Sequence, residues 1–122
     1  MYRVENAGQV CVAGSRLLVD AEIHDEFVAK VATYAAAMTV GDPLALTSDI
    51  GAINSAGQLE SDLGFVDLAQ REGAELYLGG QRLLEETGGW YMEPTILTGV
   101  KDSHSVFQDE VFGPVLSVTA FT

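Results

Sequence analysis

The chain has 122 residues, 48% of them hydrophobic, with 13 Gly and 3 Pro: enough for one globular domain with a core, too little for separate cofactor and substrate domains. Eighteen acidic residues against six basic ones give a net charge of −12, which repels phosphate backbones and anionic lipid surfaces and argues against nucleic acid as a partner. No apolar run reaches the roughly 20 residues that cross a bilayer, the start Met1-Tyr2-Arg3-Val4-Glu5 lacks a leader pattern, and a single Cys fits a reducing compartment, so a cytoplasmic protein with no membrane partner is expected.

In chain order, Arg16-Leu17-Leu18-Val19 is a short apolar run ending at Asp20 and reads as a buried strand. From Glu22 to about Met38, Ile23, Phe27, Val31 and Tyr34 recur at helical spacing, which predicts a helix with that stripe toward a core. Gly41-Asp42-Pro43 ends it, and the segment to Asp49 reads as a loop. A second helix is predicted from about Ala52 to Glu72, on Leu59, Leu63, Val66 and Ala69 or Gln70, with Gly73 as its stop. Glu75-Leu76-Tyr77-Leu78 reads as a strand closed by Gly79-Gly80, and Tyr91 to Leu97 as another that Pro94 places at an edge or a bend, with a polar, Gly-rich excursion between them. A short turn or helix around His104 to Glu110 precedes Gly113-Pro114, after which Val115 to Phe121 alternates as a strand does. This order predicts an α/β fold with helices packed on a mixed sheet.

Cys11 is the one residue type in the chain suited to strong nucleophilic attack at neutral pH. It lies in Asn6-Ala7-Gly8-Gln9-Val10-Cys11-Val12-Ala13-Gly14-Ser15-Arg16, where Gly8 and Gly14 permit close backbone approach and amides that face an oxyanion. The alternative is a small buried packing group. On the residues alone, Glu110 reads as a solvated acid and Phe112 as a core side chain beside a Gly-Pro turn. Arg16 is expected to tie the loop to a neighbouring carboxylate. His24, read as a helix-surface residue, and His104 stand far apart without metal-ligand spacing, so no metal site is expected. Gly79-Gly80 and Gly88-Gly89 are turn glycines, without the Gly-x-Gly-x-x-Gly spacing of a dinucleotide loop.

Four separate stretches, in order and at similar spacing, resemble the NAD(P)-dependent aldehyde dehydrogenase superfamily. They are the Asn6-to-Arg16 segment around Cys11, Val40-Gly41-Asp42-Pro43-Leu44, Glu93-Pro94-Thr95, and Asp109-Glu110-Val111-Phe112-Gly113-Pro114-Val115. The resemblance implies that residues 1–122 are a fragment of the catalytic domain, incomplete at both ends, with the cofactor-binding domain, the general-base glutamate and the oxyanion Asn side chain elsewhere. It implies that Cys11 is the nucleophile, forming a thiohemiacetal and then a thioester, with the Cys11 amide in the oxyanion site. Glu110 is implied to bond the nicotinamide ribose and Phe112 to border the nicotinamide of NAD or NADP. Gln58 aligns with a helix position that touches the cofactor in some members, an exposed helical Gln being the alternative. Val4 and Ala7 depart from the Phe and Gln of many members. The implied partners are a small-molecule aldehyde, with Gln9 to Leu18 similar to members acting on amino and medium-sized aliphatic aldehydes, and further copies of the parent enzyme in a homo-oligomer. The isolated chain is then expected to be inactive. The alternative function is a non-enzymatic, free-standing domain acting through protein interaction or self-association.

Overall fold

The computed structural model describes residues 5–122, so Val4 lies outside the described residues. In chain order the elements are a left-handed turn at Glu5–Gly8, β1 (Arg16–Asp20), α1 (His24–Ala36), α2 (Ala56–Arg71), β2 (Glu75–Leu78), β3 (Arg82–Leu83), a 3-10 turn at Glu85–Thr87, β4 (Tyr91–Met92), β5 (Thr95–Thr98), α3 (Ser105–Gln108) and β6 (Val115–Phe121). Four strands form one sheet in the order β1-β6-β5-β2, and β3 and β4 form a separate two-stranded hairpin. The pairs β1/β6 and β5/β6 are parallel while β2/β5 is antiparallel, so the sheet is mixed as expected.

The helices cover opposite faces of that sheet. Ile96 of β5 and Val118 of β6 pack with Val19, Val28 and Ala32 on the α1 side. Leu97 and Val115, one residue out of phase, pack with Leu59, Val66, Ala69 and Val106 on the side of α2 and α3. This is the period-2 alternation of a strand buried on both faces, and all four residues of β5 are buried.

Both long helices are shorter than the hydrophobic pattern predicts. For α2 the reason is a cap: Ser55 is extended, its hydroxyl accepts from Gln58 N at 3.2 Å, and residues 52–54 run ahead of the helix as backbone for other contacts. Gly73, at φ +103°, stops the helix where expected. In α1 the buried residues are Val28 and Ala32, whereas Ile23, Phe27 and Tyr34 of the predicted stripe are exposed. The small side chains let α1 approach the sheet, and the predicted stripe sits beside the contact. There Phe27, Val31 and Tyr34 face Leu17, Ile96 and Leu116 across an apolar groove of about 410 Å³.

The expected strand Tyr91 to Leu97 is two strands, β4 and β5, separated at Glu93-Pro94. Pro94 bends the chain there, and its carbonyl comes so close to Gly79 that a Cβ at that position would lie 2.2 Å from it. Gly79 also has φ +74°, so both the turn and the approach require glycine. Within the Gly-rich excursion, β3 pairs with β4 in a hairpin that the sequence reading leaves out.

Gly113 lies directly over the buried carboxylate of Asp62 in α2. A methyl group at Gly113 would sit 2.0 Å from Asp62 Oδ2 and 2.4 Å from its Cγ, and Asp62 is 0% exposed. Gly113→Ala is therefore expected to destabilise the fold by about 1–3 kcal/mol, the usual cost of forcing a methyl into packed space. The check is the midpoint of chemical denaturation, which should fall at an unchanged slope.

Candidate active site

Cys11 lies in an exposed turn between the Glu5–Gly8 segment and β1. The buried-packing alternative for this residue is thereby overturned. Asn6 (φ 50°, ψ 36°), Ala7 (φ 54°, ψ 33°) and Gly8 (φ 73°) are left-handed in succession. Asn and Gly tolerate this conformation, but for Ala it costs roughly 1–2 kcal/mol. Burial of Ala7, which is 1% exposed within the α2-side core, offsets that cost. Gly14, in contrast, has open space where a Cβ would be, so no close approach requires it.

Gln9 holds the turn against the rest of the molecule. Its side-chain Nε2 donates to Asn6 O at 3.1 Å and to Ala52 O at 3.4 Å, and its Oε1 accepts from Asn54 N at 2.8 Å. Asn6 Nδ2 returns a bond to Gln9 O at 3.2 Å. One amide side chain thus pairs with the extended backbone before α2 much as a neighbouring strand would.

The parallel register of β1 and β6 brings a second segment alongside. Arg16 pairs with Ser117, and Cys11 and Phe112 each stand five residues before those partners, so both loops enter the sheet from one end. Between them is a polar cleft of about 370 Å³ lined by Asn6, Gln9, Ala52, Asn54, Gln58 and Phe112. Cys11 and Glu110 are not among its lining residues. Glu110 is exposed, Phe112 is half-buried, and half-buried Gln58 donates to Asp62 Oδ1 at 2.9 Å, so it is not the freely exposed helical Gln of the alternative reading. The wall is made of side-chain amides, Ala52 and one aromatic ring, without a charged group, which suits a polar ligand that carries an aromatic ring.

The segment carrying Glu110 is held by groups that the motif does not contain. Arg16 Nη2 donates to Gln108 O at 3.2 Å, and its guanidinium lies 5.7 Å from the centroid of the Phe107 ring. Arg16 therefore grips a carbonyl and an aromatic face, not the expected carboxylate. At the other end of α3, Glu72 accepts from Ser105 Oγ at 2.7 Å and Ser105 N at 2.8 Å. Neither contact has a linear signal, because the partners are 92 and 33 residues apart. His104 is buried at the start of α3, and His24 is half-buried at the start of α1, paired with Asp25 at 2.8 Å, so the surface reading of His24 holds only in part.

The aldehyde dehydrogenase family profile matches residues 2–122. The chain belongs to the aldehyde dehydrogenase family. Aldehyde dehydrogenase B of Escherichia coli is 42% identical over 119 residues, covering 95% of this chain and 23% of the relative. A probable aldehyde dehydrogenase of Mycobacterium tuberculosis is 41% identical over 120 residues, covering 96% of this chain and 24% of the relative. Among solved structures, an indole-3-acetaldehyde dehydrogenase of P. syringae in complex with NAD+ superposes with a TM-score of 0.94 at 40% identity, over 98% of this chain and 24% of its own. Betaine aldehyde dehydrogenase of Staphylococcus aureus, also with NAD+, gives 0.91 at 34%, over 95% and 24%. The chain thus spans about a quarter of the length of these aldehyde dehydrogenases.

Two predictions follow from the clamps. Gln9→Ala removes the bonds to Ala52 and Asn54 and should cost about 1–2 kcal/mol, with faster amide exchange over residues 5–13 and little change in β5, as hydrogen exchange can read. The second concerns acid. The bond from the Ser105 hydroxyl, then that from its amide, hold the Glu72 carboxyl below its ordinary value of 4.5; burial opposes them, and the nearby His104 adds a smaller lowering. A depressed carboxyl contributes stability that is complete above the unfolded value and lost as pH falls through the folded one. The stability difference between wild type and Glu72→Gln should therefore be constant above pH 4.5 and vanish below it, which denaturation across an acid series measures.

Proposed function

We propose that residues 1–122 are part of the catalytic domain of an NAD(P)-dependent aldehyde dehydrogenase, with Cys11 as nucleophile and Glu110 and Phe112 as cofactor contacts. The observation that supports this reading is the shared register of β1 and β6, which brings the exposed Cys11 turn and the Glu110–Phe112 segment to one end of the sheet, beside an uncharged cleft that Gln9 and Phe112 line. Family membership and the NAD+ named with two solved relatives support it.

In this reading the Cys11 thiolate adds to the aldehyde carbon, and the carbonyl electron pair moves onto oxygen. The Cys11 amide, next to its own thiol along the chain, is the N–H assigned to donate to the new oxyanion. The chemistry supplied by NAD or NADP when bound is acceptance of hydride from the carbon attached to sulfur. Water then cleaves the resulting thioester, giving the carboxylic acid and the free Cys11 thiol; the base for that water is assigned to no residue of this chain. Phe112 borders the nicotinamide as an uncharged wall, and the exposed Glu110 carboxylate accepts from ribose hydroxyls. The amides of Asn54 and Gln58 widen the set of residues fitted to the cofactor beyond the motif. The substrate class is aliphatic and amino aldehydes, and the enzyme is a cytoplasmic homo-oligomer.

The test uses a full-length enzyme carrying these residues. Cys11→Ala should lower turnover of an aliphatic or amino aldehyde by more than about a thousandfold, followed as NADH or NADPH formation. Retained turnover would sink the nucleophile assignment. Glu110→Gln should raise KM for the cofactor about tenfold, a loss of ~1.4 kcal/mol, while alkylation of Cys11 by iodoacetamide without cofactor proceeds at the wild-type rate.

A further inference from the structure

A helix of four residues makes too few internal bonds to hold its own shape, since fixing the first turn costs more than one hydrogen bond returns. Yet α3 leads directly into Asp109-Glu110-Val111-Phe112, so whatever fixes α3 fixes where those side chains start. Its N-terminal residue, Ser105, gives both of its hydrogens to the two oxygens of one carboxylate, that of Glu72 at the C-cap of α2. The pair is bidentate and charge-assisted, the stronger kind of hydrogen bond. It also ties α3 to the helix whose N-terminal turn supplies Gln58 to the cleft wall, and whose Asp62 lies under Gly113. Glu72 therefore links the two sides of the cleft through a single helix of 16 residues.

We propose that Glu72 is a positioning residue for cofactor binding: by accepting both hydrogens of Ser105 it fixes α3 and so sets Glu110 and Phe112 relative to the Gln58 wall of the cleft. The proposal rests on the reading of Glu110 and Phe112 as cofactor contacts. Glu72 touches neither cofactor nor substrate in this account and acts through Ser105. Arg16 secures the far end of α3 from β1, so loss of Glu72 frees the N-terminal half of α3 without detaching the segment.

The experiment compares wild type, Glu72→Gln, Ser105→Ala and Glu110→Gln in a full-length enzyme carrying these residues. Cofactor KM, kcat, the cofactor-free rate of Cys11 alkylation and amide exchange over residues 105–112 are measured for each. Glu72→Gln should raise cofactor KM about tenfold with kcat and Cys11 alkylation near wild type, and should speed exchange across residues 105–112. Ser105→Ala, which keeps the backbone donor, should shift the same readouts less. A general loss of structure would move alkylation and kcat together with KM. Unchanged exchange and unchanged KM in Glu72→Gln, with KM raised in Glu110→Gln, overturn the positioning role alone. Faster exchange in Glu72→Gln with normal cofactor KM in both glutamate variants overturns the cofactor-contact reading and the inference with it.

Discussion

β6 is hydrogen-bonded in parallel on both edges, and every segment that bears on chemistry is referred to it. Its pairing with β1 fixes where the chain leaves the Cys11 turn, and its own start fixes where the chain leaves Phe112-Gly113-Pro114. Ser117 is the point at which both are locked: its amide and its hydroxyl donate to Ser15 O at 3.0 and 3.1 Å. A slip of one residue between β1 and β6 would turn Val118 from the α1 core to the other face and move the two loops out of step. Packing and site geometry are thus specified by the same register.

The parts of the fold legible in the sequence are those governed by local rules. Gly73 ends α2 because only a left-handed residue closes that turn, and β2 is bounded as read because Gly79-Gly80 follows it. The parts that were not legible depend on distant partners. Helical spacing identifies a stripe on α1 but does not say how near the sheet comes, and the small Val28 and Ala32, not the larger Phe27 and Tyr34, define the contact. Asp62 looks like a surface acid within an acidic helix, yet it is buried because Gly113 and Gln58 close over it. The motif around Cys11 is legible in the sequence, but the clamp that holds its turn, Gln9 reaching residues 52–54, is a contact across 45 positions.

The Cys11 turn holds its conformation against an intrinsic preference. Ala7 in the left-handed region would relax in a free peptide, and it persists because its methyl is buried while Asn6 and Gln9 bond one another and the segment ahead of α2. Strain, burial and the Gln9 clamp are one device with a single result: a thiol held out in solvent by a backbone that is fixed at both ends.

An excess of acidic residues would be expected to line any cleft with carboxylates, and here it does not. Asn6, Gln9, Asn54 and Gln58 line it with amides, which make it polar without adding to the −12 net charge. Two of the scarce cations are spent on carbonyls, Arg16 on Gln108 and Arg82 Nη2 on Gly89 at 3.1 Å, while Lys30 and Arg71 pair with Glu26 and Asp67 on their own helices. Under the proposed assignment this separation has a physical reason. A dinucleotide brings negative charge of its own, so an acidic wall would oppose its approach, whereas one carboxylate held apart at Glu110 can accept from hydroxyls at a cost confined to a single site. What must then be controlled is the place of that one charge, and in this fold its place is set by a one-turn helix gripped from α2 and from β1.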